Sequence, residues 1–326
     1  GDTLEFTGNG NIVAANDITI QNSTGTTYTW PTINATTDGF VLTTTTGGTM
    51  KWSIINFDTN YYLGNYITNS WSEYSSSDDS YTWYSIVWSP DLELFVSGGD
   101  RFNPNNIMTS TDGINWTART SASAFYWFGI EWSPELGLFC AVGNIFSAVT
   151  EVNTSPDGIT WTLQTSPNSN FYRDITWSPE LSLFCAVSSS GTSRVLTSPD
   201  GITWTERSSA DDSLAWLSVT WSSKLNIFCS VGTSGNIMTS PDGITWTSQT
   251  PPAGIDTLLG IIWAPEVSIF VSCGINGSVA TSPDGIVWYT KTTPNTNFNE
   301  AIAWSPSLSV FSIVSSSSTN RVTSSI

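Results

Sequence analysis

The chain has 326 residues, of which 27 are Asp or Glu, 9 are Lys or Arg and none is His, for a formal charge of −18. Without histidine there is no Ser-His-Asp or Cys-His nucleophile and no His-ligated metal, and so few basic residues leave no electrostatic footprint for nucleic acid or anionic lipid. Charged residues make up only 11%, but aromatics reach 13% with 17 Trp, enough to bury a large core, which excludes a disordered chain.

Residues 1–60 are rich in Thr, Asn and Gly and read as short strands between turns. The pattern is a strand followed by Tyr28-Thr29-Trp30-Pro31, a turn at Gly39, the strand Val41-Leu42-Thr43, then Gly47-Gly48 and Trp52. It resembles segments of phage tail fibres and of surface proteins of large viruses. The resemblance implies a β-rich attachment segment that joins other virion proteins. Such anchors are often trimeric, so a homo-oligomer belongs among the expected partners, although no trimer seam is legible. A segment of this length and composition does not build its own core. The chain opens on Gly1-Asp2-Thr3 rather than Met, as expected of a processed or excised product. No apolar run approaches the roughly 18 residues that would span a bilayer.

From residue 61 onward one unit repeats. A string of the form W-S-P-x-L-x-L-F recurs at Trp88, Trp132, Trp177, Trp221, Trp263 and Trp304. A second, T-S-P-D-G-I-T-W-T, places Trp116, Trp161, Trp204, Trp246 and Trp288. Each unit reads as four short strands. The first runs into W-S-P, the second is the L-F run, the third ends at T-S, and the fourth follows a Pro-Asp-Gly turn in which Gly accepts positive φ. Four strands repeated at 40–50 residues predict an all-β propeller. Six W-S-P strings predict six blades in residues 61–326. The last unit stops at Arg321-Val322-Thr323 before its fourth strand, and Trp71 lies 45 residues before Trp116. An N-terminal strand is therefore expected to close the ring and leave no exposed edge. A seventh blade from residues 1–60 stays open, without a W-S-P string to support it. Cys140, Cys185 and Cys229 occupy one strand position of successive units, and with Cys273 they read as small buried hydrophobes rather than disulfides.

The Ser-Pro-Asp-Gly-x-x-Trp core, for example Ser155 to Trp161, resembles the Asp-box or BNR-type repeat of sialidase-like and sortilin-like propellers, shortened by one residue. The resemblance implies a structural turn for Asp112, Asp157, Asp200, Asp242 and Asp284. It also brings catalysis into view. Sialidases gather three arginines, an acid/base Asp and a Tyr–Glu pair at the channel. Of Arg101, Arg119, Arg173, Arg194, Arg207 and Arg321, only Arg173 stands at a channel-mouth position and none carries a sialidase motif. Fold alone does not license the activity, so no catalytic residue, metal or cofactor is expected.

The informative residues precede each first strand. Five positions before the W-S-P tryptophans stand Trp83, Trp127, Tyr172, Trp216, Leu258 and Asn299; four before stand Tyr84, Phe128, Arg173, Leu217, Leu259 and Glu300. Trp83, Tyr84, Trp127, Phe128, Tyr172, Arg173 and Trp216 thus form a candidate ligand face, suited to sugar rings or apolar partner anchors. Blade-to-blade packing predicts the same repetition, and the break after the fourth blade is what it explains least. Asp78 with Asp79, and Asp211 with Asp212, sit at one offset in two loops. They suit Ca²⁺ or acid/base work, or plain solvated loop charge. The expectation is a non-enzymatic surface protein of a virion, extracellular, recognising a host glycan or protein. The alternative is a capsid or tail decoration protein whose propeller contacts neighbouring subunits.

Overall fold

The computed structural model describes residues 19–21, 27–29, 40–44, 50–54, 74–100, 105–144, 151–291, 293, 296–316 and 322–325. The chain divides into two compact units, Gly1–Ser72 and Glu73–Ile326. In the first, Thr19–Gln21 pairs antiparallel with Thr27–Thr29, and Phe40–Thr44 pairs with Met50–Ile54. The expected closing strand around Trp71 lies outside the described residues.

The second unit is a six-bladed β-propeller. Each blade is an antiparallel meander in sequence order. Blade 3 serves as the example, with strands Tyr172–Ser178, Leu183–Ser188, Val195–Ser198 and Thr205–Arg207. Blades 1 to 5 have four strands, and the described part of blade 6 has three. The first strands of the other blades are Trp83–Ser89, Tyr126–Ser133, Trp216–Ser222, Leu258–Ala264 and Asn299–Ser305. Successive first strands pack beside one another and line the axis.

The second strand is apolar on both sides because both of its sides are covered. Phe139 and Ala141 of blade 2 pack with Val96 and Ile107 of blade 1, whereas Cys140 and Val142 pack with Tyr172 and Ile175 of blade 3. The cysteines are free and buried. Within each blade the W-S-P tryptophan rests on the Phe of strand two, as Trp177 on Phe184 with centroids 4.6 Å apart.

The Asp residues form turns. The Asp157 carboxylate accepts from the backbone N–H of Ile159 at 2.8 Å and of Thr160 at 2.7 Å, and from the Ser155 hydroxyl at 3.0 Å. Trp161 Nε1–H donates to the Gly158 carbonyl at 3.1 Å. The same carboxylate-to-backbone bonds recur at Asp112, Asp200, Asp242 and Asp284. The turn glycines lie at φ of 70 to 76°, a region L-residues rarely adopt.

A second device links blades. The acid three residues after a W-S-P tryptophan accepts from the tryptophan of the next blade. Trp132 Nε1–H donates to Asp91 at 3.1 Å, Trp177 to Glu135 at 2.6 Å, Trp221 to Glu180 at 2.6 Å and Trp304 to Glu266 at 2.8 Å. Blade 4 carries Lys224 there, which donates to the Ser268 hydroxyl at 2.7 Å, and Trp263 Nε1 is buried without an acceptor.

The end blades differ from the middle ones. Ile86 of blade 1 is 61% exposed where Ile175 is 3%, and Trp88 is 40% exposed where Trp177 is 6%. In blade 6, Val314 is 49% exposed where Val187 is fully buried. These are the faces that a preceding or a following blade covers elsewhere.

Candidate binding site at the channel mouth

Every first strand carries one irregularity at the same place. Trp83 lies opposite Gly99, but Ser85 lies opposite Gly98; Trp127 lies opposite Gly143, but Gly129 lies opposite Val142. The shift recurs in the other four blades. The residue skipped is a β-bulge, which re-aims its side chain. The six bulge residues are Tyr84, Phe128, Arg173, Leu217, Leu259 and Glu300. Backbone approach at the bulge is close: a Cβ on Gly143 would stand 1.7 Å from the Tyr126 carbonyl oxygen.

The bulge separates sequence neighbours that were expected to act together. Trp127, Tyr172 and Trp216, expected on the ligand face, are fully buried. Trp127 Nε1–H donates to Asn106 Oδ1 at 3.1 Å, the Tyr172 hydroxyl to Asn168 Oδ1 at 3.1 Å, and Trp216 Nε1–H to the Asp211 carbonyl at 3.3 Å. These bonds pin the loop between blades. Leu258 and Asn299 are buried at the same position, so the break in the aromatic series is a change within a packing site. Trp83 is half-buried and stacks on Tyr81 at 5.6 Å.

Three of the bulge residues, Tyr84, Phe128 and Arg173, meet one another instead. Tyr84 and Phe128 have centroids 4.7 Å apart, and Phe128 and Phe171 5.0 Å. The Arg173 guanidinium lies 4.5 Å above Phe128 and 5.7 Å from Phe171. Burial lowers the Arg173 pKa, while Tyr84, Glu300 and Asp174 act on it through space to raise it. Glu300 comes from blade 6, so blades 3 and 6 share one electrostatic neighbourhood. The Tyr84 hydroxyl stands 3.5 Å from Asp100 Oδ2. Burial, then the Asp100 charge, raises the Tyr84 pKa.

Sequence reasoning missed Phe171, Glu131 and Asp174. Burial, with the Asp174 charge second, pushes the Glu131 carboxyl up to about 8. Burial also raises Asp174, against bonds from Ser218 Oγ at 2.7 Å, Val219 N–H and Ile175 N–H at 2.9 Å. A charged residue inside an apolar first strand was the available signal.

The paired acids are turned back onto their own loops. Asp79 accepts from Ser76 N–H at 3.0 Å and Asp78 from Ser80 N–H at 2.9 Å. Asp212 accepts from Ser209 N–H at 2.8 Å and Asp211 from Ser213 N–H at 2.8 Å. Among the described residues no three His, Cys, Asp or Glu side chains gather as a metal-holding group.

A propeller with a ring of bulge residues at one mouth is the class the fold and the site define. No protein-family model matches the chain, and no curated protein matches it in sequence. Among solved structures, virginiamycin B lyase from Staphylococcus aureus is similar with a TM-score of 0.64 at 13% identity, over 78% of this chain and 87% of that one. YCF48 bound to D1 peptide is similar with a TM-score of 0.55 at 13% identity, over 75% and 77%. A nidogen/laminin complex gives 0.50 at 10% identity, over 72% and 85%. At these identities the likeness is one of fold, and the Asp-box resemblance is carried by the motif alone.

Proposed function

We propose that the protein is a non-enzymatic recognition module whose bulge ring binds a host-surface glycan or protein. The observation that carries this is the split between neighbouring positions. The fold repeats what it packs, and the position five before each W-S-P tryptophan is buried in blades 2 to 6. The position four before is freed from packing by a bulge and changes chemistry from blade to blade, as a site for an asymmetric ligand does. YCF48 with its peptide and nidogen with laminin are precedents of fold for propellers that meet polypeptides. A structure of the lyase with quinupristin is of a catalytically inactive histidine-to-alanine form; the lack of histidine here supports a non-catalytic reading. Display on a virion through residues 1–60 is the extension that the fibre-like segment supports.

The test is a screen of the full chain on glycan and peptide arrays, beside Tyr84→Ala and Phe128→Ala. Selective binding that both variants weaken, with near-UV circular dichroism unchanged, is the expected result. Binding that neither variant alters removes the mouth as the site.

One observation favours a structural role. On the opposite face each Asp-Gly turn exposes an aliphatic side chain: Ile114, Ile159, Ile202, Ile244 and Ile286. Repeated exposed apolar groups suit contact with neighbouring subunits. Radical footprinting of an assembled particle separates the readings: protection of Ile202 with Tyr84 still reactive favours the decoration role.

A further inference from the structure

The arginines of the propeller do not all find partners. Arg119 Nε donates to Thr109 Oγ1 at 2.9 Å and Arg207 Nε to Thr197 Oγ1 at 3.2 Å. Arg194 donates to the carbonyls of Gly191, Ser189 and Leu214. Arg173 is different. Its guanidinium carbon lies 4.5 Å from the centroid of the Phe128 ring, and no hydrogen bond from it to a described residue enters its electrostatics. The nearby carboxylates are committed elsewhere. Asp174 accepts from Ser218, Val219 and Ile175, and Glu300 accepts from the Ser316 hydroxyl. A half-buried guanidinium that lies over an aromatic ring and has no hydrogen-bond acceptor among the described residues is suited to a planar, bidentate acceptor.

Resting on the reading of the mouth as a binding site, we propose that its ligand is a carboxylate of a polypeptide partner, flanked by apolar residues and received by Arg173. The surroundings select the flank. Phe128, Leu217 and Leu259 supply apolar surface. Of the bulge residues, the polar Tyr84 and Glu300 engage Asp100 and Ser316. Sugar hydroxyls would need several uncommitted donors and acceptors there. The net charge of −18 works against polyanions, so the fitting ligand brings one carboxylate in an otherwise uncharged stretch.

The experiment uses the full chain and fluorescence polarisation with pooled N-acetylated hexapeptides of Leu, Phe, Val, Ala and Ser. One pool is made as free acid and as amide, and a second, amidated pool carries one internal Asp or Asn. The expected result is that a carboxylate-bearing pool binds at least about tenfold tighter than its neutral twin, the size of one charge-assisted contact. The free-acid and Asp arms tell a chain terminus from a side chain. Arg173→Ala removes the preference, and Arg173→Lys restores it only in part, because an ammonium lacks the planar fork. Discrimination between the pools by the unaltered protein is read without any variant, so a misfolded Arg173→Ala leaves that arm intact. Equal binding of acid and neutral pools, no binding of either, binding only of uronic or sialic acid conjugates, or a preference that survives Arg173→Ala overturns the proposal. If Tyr84→Ala and Phe128→Ala still weaken a carboxylate-independent ligand, only this inference falls. If they change nothing, the mouth itself falls as the site.

Discussion

Trp127 and Phe128 follow one another in the first strand of blade 2, yet one is sealed between blades and the other stands at the channel mouth. The same division runs around the propeller. Tyr172 is buried beside the half-exposed Arg173, and Trp216 beside the half-exposed Leu217. One bulge per blade makes the difference, by giving the second residue of each pair no partner in the ladder. A repeat protein is thereby free to vary the mouth without disturbing the interfaces. Its recognition surface and its scaffold are interleaved residue by residue.

The sharpest way to break this comparison is to truncate both members of a pair. Trp127→Ala is expected to cost about 3–5 kcal/mol, as removal of a fully enclosed indole does. It also removes one of the bonds to Asn106 Oδ1, at 3.1 Å, and leaves the one from the Ser121 hydroxyl at 2.7 Å. Tyr84→Ala, at a residue 47% exposed, is expected to stay within about 1 kcal/mol. Urea unfolding of the two variants measures both; equal losses would mean that the mouth residues are packing residues too.

The same logic applies along the arc of blades. Trp177→Ala, with Trp177 enclosed between blades 2 and 3, is expected to lose about 3–5 kcal/mol. Trp88→Ala, at the uncovered face of blade 1, is expected to lose less than half as much. Parity would show that the face of blade 1 is covered in solution.

The repeat made most of the fold legible. The W-S-P and Asp-Gly strings mark strand ends directly, because Pro and Gly dictate local backbone whatever the packing. The cysteines were legible too, since equivalent positions of a repeat do not meet. The division between Trp127 and Phe128 was not legible. Alternation says that neighbours point apart, but a bulge decides which one points inward, and no residue type marks it here. The acids that hold the next blade's indole were hidden for another reason. Asp91, Glu135 and Glu180 look like ordinary turn charge until a blade packs beside them.

Glu131 offers a test of intermediate size in the lining of the axis. Its carboxyl is raised from an ordinary 4.5 to about 8, first by burial and second by Asp174. The folded chain therefore holds this proton more tightly than the unfolded chain. The stabilising contribution is complete below pH 4.5 and is lost as pH rises through 8. Glu131→Gln removes the titration, so the variant is expected to unfold at a higher temperature than the parent at pH 8, with the advantage gone at pH 4. Parallel melting curves across that range would show that the carboxyl is solvated.

The smallest expected effect concerns the junction between blades 4 and 5, which is built differently from the junctions 1–2, 2–3, 3–4 and 5–6. Trp263 Nε1 is buried without an acceptor because blade 4 presents Lys224 where blades 1, 2, 3 and 5 present an acid. Lys224→Glu supplies that acceptor and is expected to add about 0.5–1.5 kcal/mol, the net worth of one hydrogen bond. It gives up the bond from Lys224 Nζ to Ser268 Oγ, which is exposed and contributes little. Lys224→Ala isolates that loss and is expected to leave the urea midpoint unchanged. A raised midpoint for Lys224→Glu at constant slope would mean that blades are joined by an indole–carboxylate bond that any junction can adopt. An unchanged midpoint would confine the bond's role to setting blade register, with the aromatic stack of Trp263 on Phe270 at 4.7 Å holding the junction by itself.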